Sequence, residues 1–210
     1  MVERDQLLEE CRTDADHNGN VLYAKWKQET GGSYRPYEFR FTDSFATRQE
    51  CAHTYSWAVP NDQAIQTLVD HSPVIEIGAG TGYWAAMVQA AGGDIIAFDN
   101  QPLDKSEINH YHPGKQPFFA VQEGDEETAT LYPDRTLFLC WPPYDSSMAY
   151  RCLKAYRGST VIFVGEGWGG CTANDDFFEL LIKEFEVAKE IDIPQWFGMH
   201  DYMTVYKRLL

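Results

Sequence analysis

The chain has 210 residues, of which 32 are acidic and 17 basic, so its net charge is −15 at pH 7. This length suits one compact domain, and a composition of 44% hydrophobic and 14% aromatic residues can supply a sizeable core. Proteins that grip a nucleic-acid backbone usually present a lysine- and arginine-rich surface, so the acidic balance disfavours extended nucleic-acid binding. A small molecule or a protein group is the better substrate prediction.

Targeting, membrane and metal-binding patterns are not evident in the sequence. No apolar run approaches the roughly 20 residues of a membrane span, and the N-terminal segment MVERDQLLEECRTDADHN is charged from its third residue. The cysteines are odd in number and widely spaced, which favours free thiols over disulfides or a zinc site. They are Cys11, Cys51, Cys140, Cys152 and Cys171. We therefore expect a cytoplasmic protein without a membrane anchor or a metal centre.

The first 60 residues mix short helical stretches with Gly, Pro and Tyr and show no sustained period. We expect residues 1–60 to form an extension that packs on the sheet or caps its active edge, and residues 61–210 to form one compact domain. Within YSWAVPN (55–61), Tyr55 and Trp57 either line the pocket of that domain or join the extension to it.

From residue 73 onward, apolar runs alternate with amphipathic segments, which is typical of an α/β sheet. Strands are predicted at residues 73–78, 94–99, 117–122, 136–141 and 160–165, and helices at 61–71, 83–92, 148–158 and 174–186. Asn174 or Thr172 is the expected cap of the last helix. The segments EVAKEIDI and DYMTVYKRL predict a closing pair of strands.

A glycine-rich turn follows the first of these strands. Residues 74–84 read VIEIGAGTGYW, and glycines let the chain turn sharply while a ligand lies against bare backbone. Ligands of open α/β sheets bind at this edge. About 20 residues on, Asp99 ends the next strand, where it can accept hydrogen bonds from a ribose diol. A dinucleotide fingerprint would need Gly or Ala where this chain has Tyr83.

The G-x-G-x-G spacing, with Glu76 before it and Asp99 after it, resembles motif I of class I S-adenosylmethionine (SAM) methyltransferases. The resemblance covers most of residues 55–210. It implies a Rossmann-like, seven-stranded, mostly parallel sheet with helices on both faces and an antiparallel C-terminal hairpin. It also implies SAM as the cofactor, whose ammonium and sulfonium suit a nearby carboxylate. The expected cofactor-binding residues are Glu76, Gly78, Ala79, Gly80, Gly82, Asp99, Asn100, Asp125 and Trp141.

Asp125 has two possible roles. In QEGDEETA it matches the family segment that holds the adenine, which makes its carboxylate a candidate acceptor for the exocyclic amine. It could equally be the N-cap of a solvated helix.

The segment LCWPPYD (139–145) resembles the D/N-P-P-Y/F corner of amino-methylating members of the family. In those enzymes an acidic or amide side chain and the first proline's carbonyl accept hydrogen bonds from the substrate amine. Trp141 departs from that pattern, because an indole only donates. The Pro142 carbonyl and the Tyr144 ring remain as half of the clamp, with Trp141 stacking on the adenine or shaping the acceptor pocket. The alternative is a segment that only ends the strand.

The expected catalytic residues are Pro142, Pro143, Tyr144 and Glu166. Glu166, in VGEGWGG, is a candidate general base, as are Asp145 and the pair His200-Asp201. His110 and His112 fit a polar loop better than a metal site.

The sequence therefore favours a SAM-dependent methyltransferase that acts on a small molecule or protein group, at nitrogen. The open alternatives are a nucleic-acid adenine methyltransferase and a non-catalytic subunit of the same fold that binds a partner protein. An NAD-linked oxidoreductase is opposed by Tyr83.

Overall fold

The computed structural model describes residues 19–32, 41–104 and 109–209. Part of the predicted N-terminal extension, including Cys11, lies outside these residues. In chain order the helices are α1 (Val21–Thr30), α2 (Phe41–Thr54), α3 (Asp62–Asp70), α4 (Tyr83–Ala90), α5 (Met148–Ala155) and α6 (Asp175–Glu184). The strands are β1 (Val74–Ile77), β2 (Ile95–Asp99), β3 (Val121–Glu123), β4 (Thr136–Cys140), β5 (Thr160–Gly165), β6 (Phe185–Ile191) and β7 (Tyr202–Arg208), and a 3-10 helix spans Glu126–Leu131.

The seven strands form one sheet in the order β3-β2-β1-β4-β5-β7-β6. The first five strands run parallel, and β7 pairs antiparallel with both β5 and β6. The chain reverses its direction of strand addition between β1 and β4, so the carboxyl ends of these two strands flank the switch point where ligands bind in open α/β sheets. This architecture confirms the predicted Rossmann-like fold and its antiparallel C-terminal hairpin.

Each face of the sheet buries its own apolar cluster. The four residues of β1 are all buried, as expected for a central parallel strand covered on both sides. On one face the sheet packs against α3 and α4, with Trp84 against Phe138 at 5.5 Å between ring centroids. On the other face α5, α6 and the 3-10 helix cover it. Helix α6 begins at the Asn174 cap, whose side chain accepts from the Phe177 backbone N–H at 3.2 Å.

The third strand is shorter than its apolar pattern predicts. Pairing with β2 covers only Val121–Glu123, whereas the pattern extends from residue 117. Upstream, the Phe118 backbone N–H donates to the Thr81 carbonyl at 2.8 Å, and the Phe118 ring stacks on Tyr55 at 5.5 Å. These aromatic residues bury against the loop after β1, which draws the chain away from the sheet.

In the described part of the chain, α1 and α2 lie before the predicted boundary at residue 60, in a region where the sequence shows no sustained period. Their apolar residues do not form one stripe, and tertiary contacts hold α1 in place. The Tyr83 hydroxyl donates to Asn20 Oδ1 and accepts from the Leu22 backbone N–H, each at 3.0 Å. The Trp26 indole N–H donates to the Gln195 carbonyl at 3.0 Å. The boundary at residue 60 stays a prediction.

The described ranges contain neither a membrane-spanning helix nor a cluster of metal ligands. None of the helices there combines the length and apolar character that crossing a bilayer would require. Within the same ranges, no three or more His, Cys, Asp or Glu side chains cluster as metal ligands would. The four cysteines described are free thiols.

Candidate functional site

The glycine turn, residues 78–82, leaves β1 at the carboxyl edge of the sheet. Gly78, Gly80 and Gly82 all have positive φ, at 77°, 54° and 71°, a conformation that other residues adopt at a cost. The Gly78 and Ala79 backbone N–H groups both donate to the Phe98 carbonyl of β2, at 2.8 and 3.0 Å. The turn is therefore fixed to the neighbouring strand, and its backbone faces the switch point.

Asp99 links the end of β2 to this turn. Its Oδ2 accepts from the Gly80 backbone N–H at 2.9 Å, and its Oδ1 accepts from the Gln101 N–H at 2.8 Å. The residue is 8% exposed and, with Asn100, lines the cleft at the switch point. Because a carboxylate oxygen can accept more than one hydrogen bond, both oxygens keep capacity for a ligand hydroxyl.

Glu76 lies behind the glycine turn and is 2% exposed. Burial, followed by repulsion from Asp99, raises the pKa of its carboxyl from 4.5 to about 8. Its Oε2 has no hydrogen-bond partner among the described residues. A buried acid with an unused oxygen favours a cationic partner, since an isolated buried carboxylate is costly.

The cleft has a volume of about 210 Å³ and collects predicted site residues from distant parts of the chain. Those that line it are Gly78, Gly80, Asp99, Asn100, Asp125, Trp141 and Pro143. A recess of about 30 Å³ shares residues with the cleft and is lined by Glu76 and Ala79. Pro142, Tyr144, Glu166 and Gly82 line neither.

Asp125 occupies the N-cap position that was one of its two predicted roles, and it is also exposed to the cleft. It is the N-cap of the 3-10 helix, where its Oδ1 accepts from the Glu127 backbone N–H at 3.0 Å, and it also lines the cleft. Beside it, Glu126 forms an ion pair with Arg151, and both line the same end of the cleft. Because Glu126 neutralises the charge of Arg151, this end of the cleft does not offer Arg151 as a binding partner for a negatively charged pyrophosphate.

His112 is a site residue that sequence reasoning missed. Its Nδ1 lies 2.8 Å from the His53 carbonyl, which can only accept, so Nδ1 carries the proton in the neutral ring. Burial lowers its pKa and keeps the ring neutral. The ring stands over the glycine turn: a Cβ added at Gly80 would lie 2.5 Å from His112 Nε2. The segment NHYH gave the only sequence signal, and it indicated no more than a polar loop.

The Trp141 corner, residues 141–144, follows β4. Trp141 has φ 51°, which is an outlier for a bulky residue and a form of strain that concentrates at functional sites. Its indole N–H donates to Asp201 Oδ2 at 2.8 Å, and its ring stacks on Trp57 at 5.9 Å. Both rings line the cleft. Trp141 therefore offers aromatic surface to the cleft, while its N–H donor is already used by Asp201.

The prolines of the corner are fastened to the loop after β5. The Pro142 carbonyl accepts from the Ala173 N–H at 2.9 Å, and Pro143 forms an isolated antiparallel bridge with Thr172. Tyr144 is 61% exposed. One lone pair of the Pro142 carbonyl is thus in use, and the Tyr144 ring stands outside the cleft wall.

Glu166 joins two loops beside this corner. Its Oε2 accepts from the Cys171 N–H at 2.7 Å, and its Oε1 accepts from the His200 N–H at 2.9 Å. Both oxygens of this buried carboxylate are occupied by backbone donors, which is a positioning arrangement. The other proposed bases differ from it: Asp145 is exposed, whereas Asp201 is buried with Oδ1 unpartnered in the described part of the chain.

Comparisons with known proteins assign the chain to no family. No protein-family model matches the chain, and no curated protein matches it. Solved structures do match. The magnesium protoporphyrin IX methyltransferase of Synechocystis PCC 6803 with bound SAM is 14% identical, with 99% of this chain and 97% of that one covered and a TM-score of 0.44.

A second matching structure is the N-methyltransferase NodS of Bradyrhizobium japonicum WM9 in complex with S-adenosyl-L-homocysteine. It is 10% identical, with 90% of this chain and 99% of that one covered and a TM-score of 0.46. At these values the likeness carries no inference about activity. The fold class rests on the strand order of the chain itself.

Proposed function

We propose that the protein is a SAM-dependent methyltransferase that methylates nitrogen in a small molecule or a protein group. The observation that carries the proposal is the unpartnered Oε2 of the buried Glu76 carboxyl behind the glycine turn. SAM presents an ammonium at its methionine end, which can displace the proton of the buried Glu76 carboxyl and pair with the carboxylate that remains. The negative pyrophosphate of a dinucleotide would instead meet Glu76 and Asp99 with no unpaired cation among the residues that line the cleft.

The described residues fit SAM along the length of the cleft. Glu76 would hold the ammonium, Asp99 the ribose diol, and Asp125 the adenine amine, while Gly78 and Gly80 give bare backbone between them. These residues line either the cleft or its recess. When bound, SAM supplies an electrophilic methyl group on its sulfonium. The task of the protein is then to orient the acceptor and exclude water.

We place the acceptor at the Trp141 corner. Pro143 and Trp141 line the cleft there, the Pro142 carbonyl keeps one lone pair, and Tyr144 is exposed just outside the cleft wall. Glu166 would position this wall by holding the Cys171 and His200 backbone. Asp201 is the better general base, because burial raises the pKa of its carboxyl from 3.8 to about 6 and its Oδ1 is unpartnered within the described residues.

The nucleic-acid adenine alternative receives less support from this corner. In the related motif the side chain before the prolines accepts a hydrogen bond from the amine. Here Trp141 cannot accept, and its N–H is already donated to Asp201. The net charge of −15 also opposes a nucleic-acid partner.

Calorimetric titration with SAM and with NADH tests the cofactor proposal. We expect SAM to bind and NADH not to bind. The titration is repeated at pH 7 in buffers of different ionisation enthalpy. Because the pKa of Glu76 is raised to about 8, its carboxyl is mostly protonated in the free protein, and an ammonium ligand should expel that proton. Close to one proton should be released per SAM bound.

Glu76→Gln should remove this proton release and lower the affinity for SAM. The matched control is Glu123→Gln, which changes an exposed carboxylate at the end of β3 and should leave both quantities unchanged. Binding of NADH in place of SAM would show that the glycine turn serves another ligand, and SAM affinity of wild-type strength in Glu76→Gln would show that Glu76 does not hold the ammonium.

A further inference from the structure

Arg48, on α2, is a buried cation that has no ion-pair partner among the described residues. It is 7% exposed, and its guanidinium carbon lies 5.5 Å from the ring centroids of both Trp57 and Trp141. Its Nε has no hydrogen-bond partner, and the ion pairs of the described residues do not include it. Burial lowers the pKa of Arg48, although Asp201 and Glu166 partly offset that effect. The Nε of Arg48 therefore has unused hydrogen-bonding capacity next to two rings that line the cleft, although Arg48 itself does not line it.

Asp201 supplies the opposite charge on the same indole. It is 1% exposed; Oδ2 accepts from the Trp141 N–H at 2.8 Å, and Oδ1 is one of the buried unpartnered atoms of the described chain. Arg48 and Asp201 attract each other but do not form an ion pair. Each oxygen of Glu166 already accepts from a backbone donor, and Glu166 forms no ion pair with Arg48 among the described residues.

A ligand could satisfy these groups only if it carried both charges. A purely apolar acceptor would leave two buried polar groups unpaired, which proteins rarely tolerate. A phosphate would place a double negative charge near Asp201 and Glu166. A carboxylate matches the planar fork of a guanidinium with a single charge. An ammonium matches the free oxygen of Asp201.

We propose that the methyl acceptor is an aminocarboxylate, whose carboxylate binds Arg48 and whose amine binds Asp201 Oδ1 against the Trp57–Trp141 wall. The proposal rests on the methyltransferase function proposed above, because it assigns the acceptor of that same site. Asp201 Oδ1 is also placed to receive the proton that an ammonium must lose before its nitrogen can act as a nucleophile.

Binding of candidate acceptors tests the assignment without any turnover. The full chain is titrated by calorimetry, alone and with saturating S-adenosyl-L-homocysteine, against the proteinogenic amino acids, β-alanine, 4-aminobutyrate and the three aminobenzoates. For each compound that binds, its methyl ester lacks the carboxylate and its deamino analogue lacks the amine. At least one aminocarboxylate should bind, and each analogue should bind at least tenfold more weakly.

Three variants test which residues bind the carboxylate and the amine of the ligand. Arg48→Gln should weaken the best aminocarboxylate at least tenfold and leave the binding of its ester unchanged. Asp201→Asn should weaken the aminocarboxylate and leave the deamino analogue unchanged. Arg157→Gln, which changes an exposed arginine at the end of α5, is the matched control and should alter none of these.

A structural role for Arg48 predicts a different pattern. If the guanidinium only supported the two indoles, Arg48→Gln would lower the melting temperature and weaken every ligand equally. We expect a melting temperature close to that of the wild type, because the substitution removes a buried unpaired charge. Arg48→Lys keeps the charge and should retain part of the aminocarboxylate affinity. This variant tests the role of Arg48 if Arg48→Gln does not fold.

The assignment is overturned if no aminocarboxylate of the panel binds, or if the best ligand binds Arg48→Gln as tightly as wild type. Failure of the cofactor proposal looks different. In that case the wild-type protein would not bind SAM, whatever the outcome of the acceptor titrations.

Discussion

The glycine turn and the Trp141 corner face the same cleft, but their polar groups are assembled in different ways. Glu76, Gly80 and Asp99 come from one uninterrupted strand–turn–helix–strand stretch. Trp141, Asp201 and Arg48 come from the end of β4, the start of β7 and helix α2. The cofactor side is therefore encoded locally, whereas the acceptor side is created by inserting β7 between β5 and β6 and by laying α2 over the edge.

The two sides are alike in how their carboxylates are hydrogen-bonded. At the glycine turn Asp99 is held by backbone donors and Glu76 keeps a free oxygen; at the corner Glu166 is held by backbone donors and Asp201 keeps a free oxygen. Each side thus pairs one carboxylate whose two oxygens both accept from backbone donors with one that keeps an unpartnered oxygen. The variants below separate these two kinds of carboxylate and the two sides of the cleft.

The largest effect is expected from Gly80→Val on the cofactor side. Valine disfavours the φ of 54° at this position, and its Cβ would lie 2.5 Å from His112 Nε2. The Kd for SAM should rise on the order of 100-fold or more, because turn and ring must both move. Calorimetric titration measures this, and a normal melting curve shows that the protein is folded.

Gly92→Val is the matched control for that variant. Gly92 has a similar positive φ, of 89°, but no atom lies within 4 Å of an added Cβ. It should lower the melting temperature without changing the affinity for SAM. Equal SAM affinity in Gly80→Val and wild type would mean that the glycines serve only the turn.

Asp99→Ala should have the next largest effect. Loss of a charged hydrogen-bond acceptor to the ribose should weaken SAM by roughly 1.5–3 kcal/mol. The Gly80 and Gln101 backbone N–H groups would also lose their acceptor, so the melting temperature should fall. Titration of the folded variant beside Glu123→Ala checks the expectation. Wild-type affinity in Asp99→Ala would remove Asp99 from the cofactor site.

Trp141→Asn tests the acceptor side. Asparagine tolerates the φ of 51° better than tryptophan does, so the backbone should relax while the stacking on Trp57 is lost. We expect kcat/KM for the acceptor to fall about tenfold or more while the affinity for SAM changes less. Trp141→Phe keeps the aromatic surface and removes only the N–H donor to Asp201, which separates the two contributions.

Tyr144→Ala completes that test at the rim of the cleft. It should lower kcat/KM and leave SAM affinity unchanged, because the ring would touch the acceptor alone. If Trp141→Asn and Tyr144→Ala both turn over the acceptor at wild-type rates, the corner is only a strand terminator.

The smallest effect concerns stability against pH. Burial raises the pKa of Asp201 from 3.8 to about 6, so between these values the folded protein holds a proton that the unfolded chain releases. This group should therefore make the free energy of unfolding fall as pH rises from about 4 to 6, and add no further change above that. Trp141 and Glu166 touch or face the carboxyl, and Arg48 opposes the shift.

Asp201→Asn should remove that contribution. The melting temperature of the variant, measured relative to that of the wild type, should rise by a few degrees between pH 4 and pH 7. A constant difference across this range would show that Asp201 does not titrate there.

Much of the fold follows from the sequence, and the reason lies in short-range patterns. Buried strands, the glycine turn and the Asn174 cap are each encoded within a few residues. The shortening of β3 is not, because Phe118 leaves the sheet to stack on Tyr55. The first helices escaped prediction for the same reason, since contacts with Tyr83 and Gln195 hold α1.

The candidate site divides along the same line. Gly78, Gly80 and Asp99 are indicated by spacing alone, and the structure brings them to one cleft. Arg48 and His112 could not be found that way. Arg48 acquires its place only against Trp57 and Trp141, and His112 only against the His53 carbonyl and Gly80.

The packing of His112 on Gly80 has an evolutionary consequence. The space beside Gly80 is filled by a protein side chain, so the second glycine of the motif is constrained by residue 112 as well as by any ligand. Among relatives of this chain, the two positions should covary. Alanine at position 80 should accompany a smaller residue at position 112, and histidine at 112 should occur only with glycine at 80. Aligned relatives would thus show as linked substitutions a contact that is otherwise visible only in three dimensions.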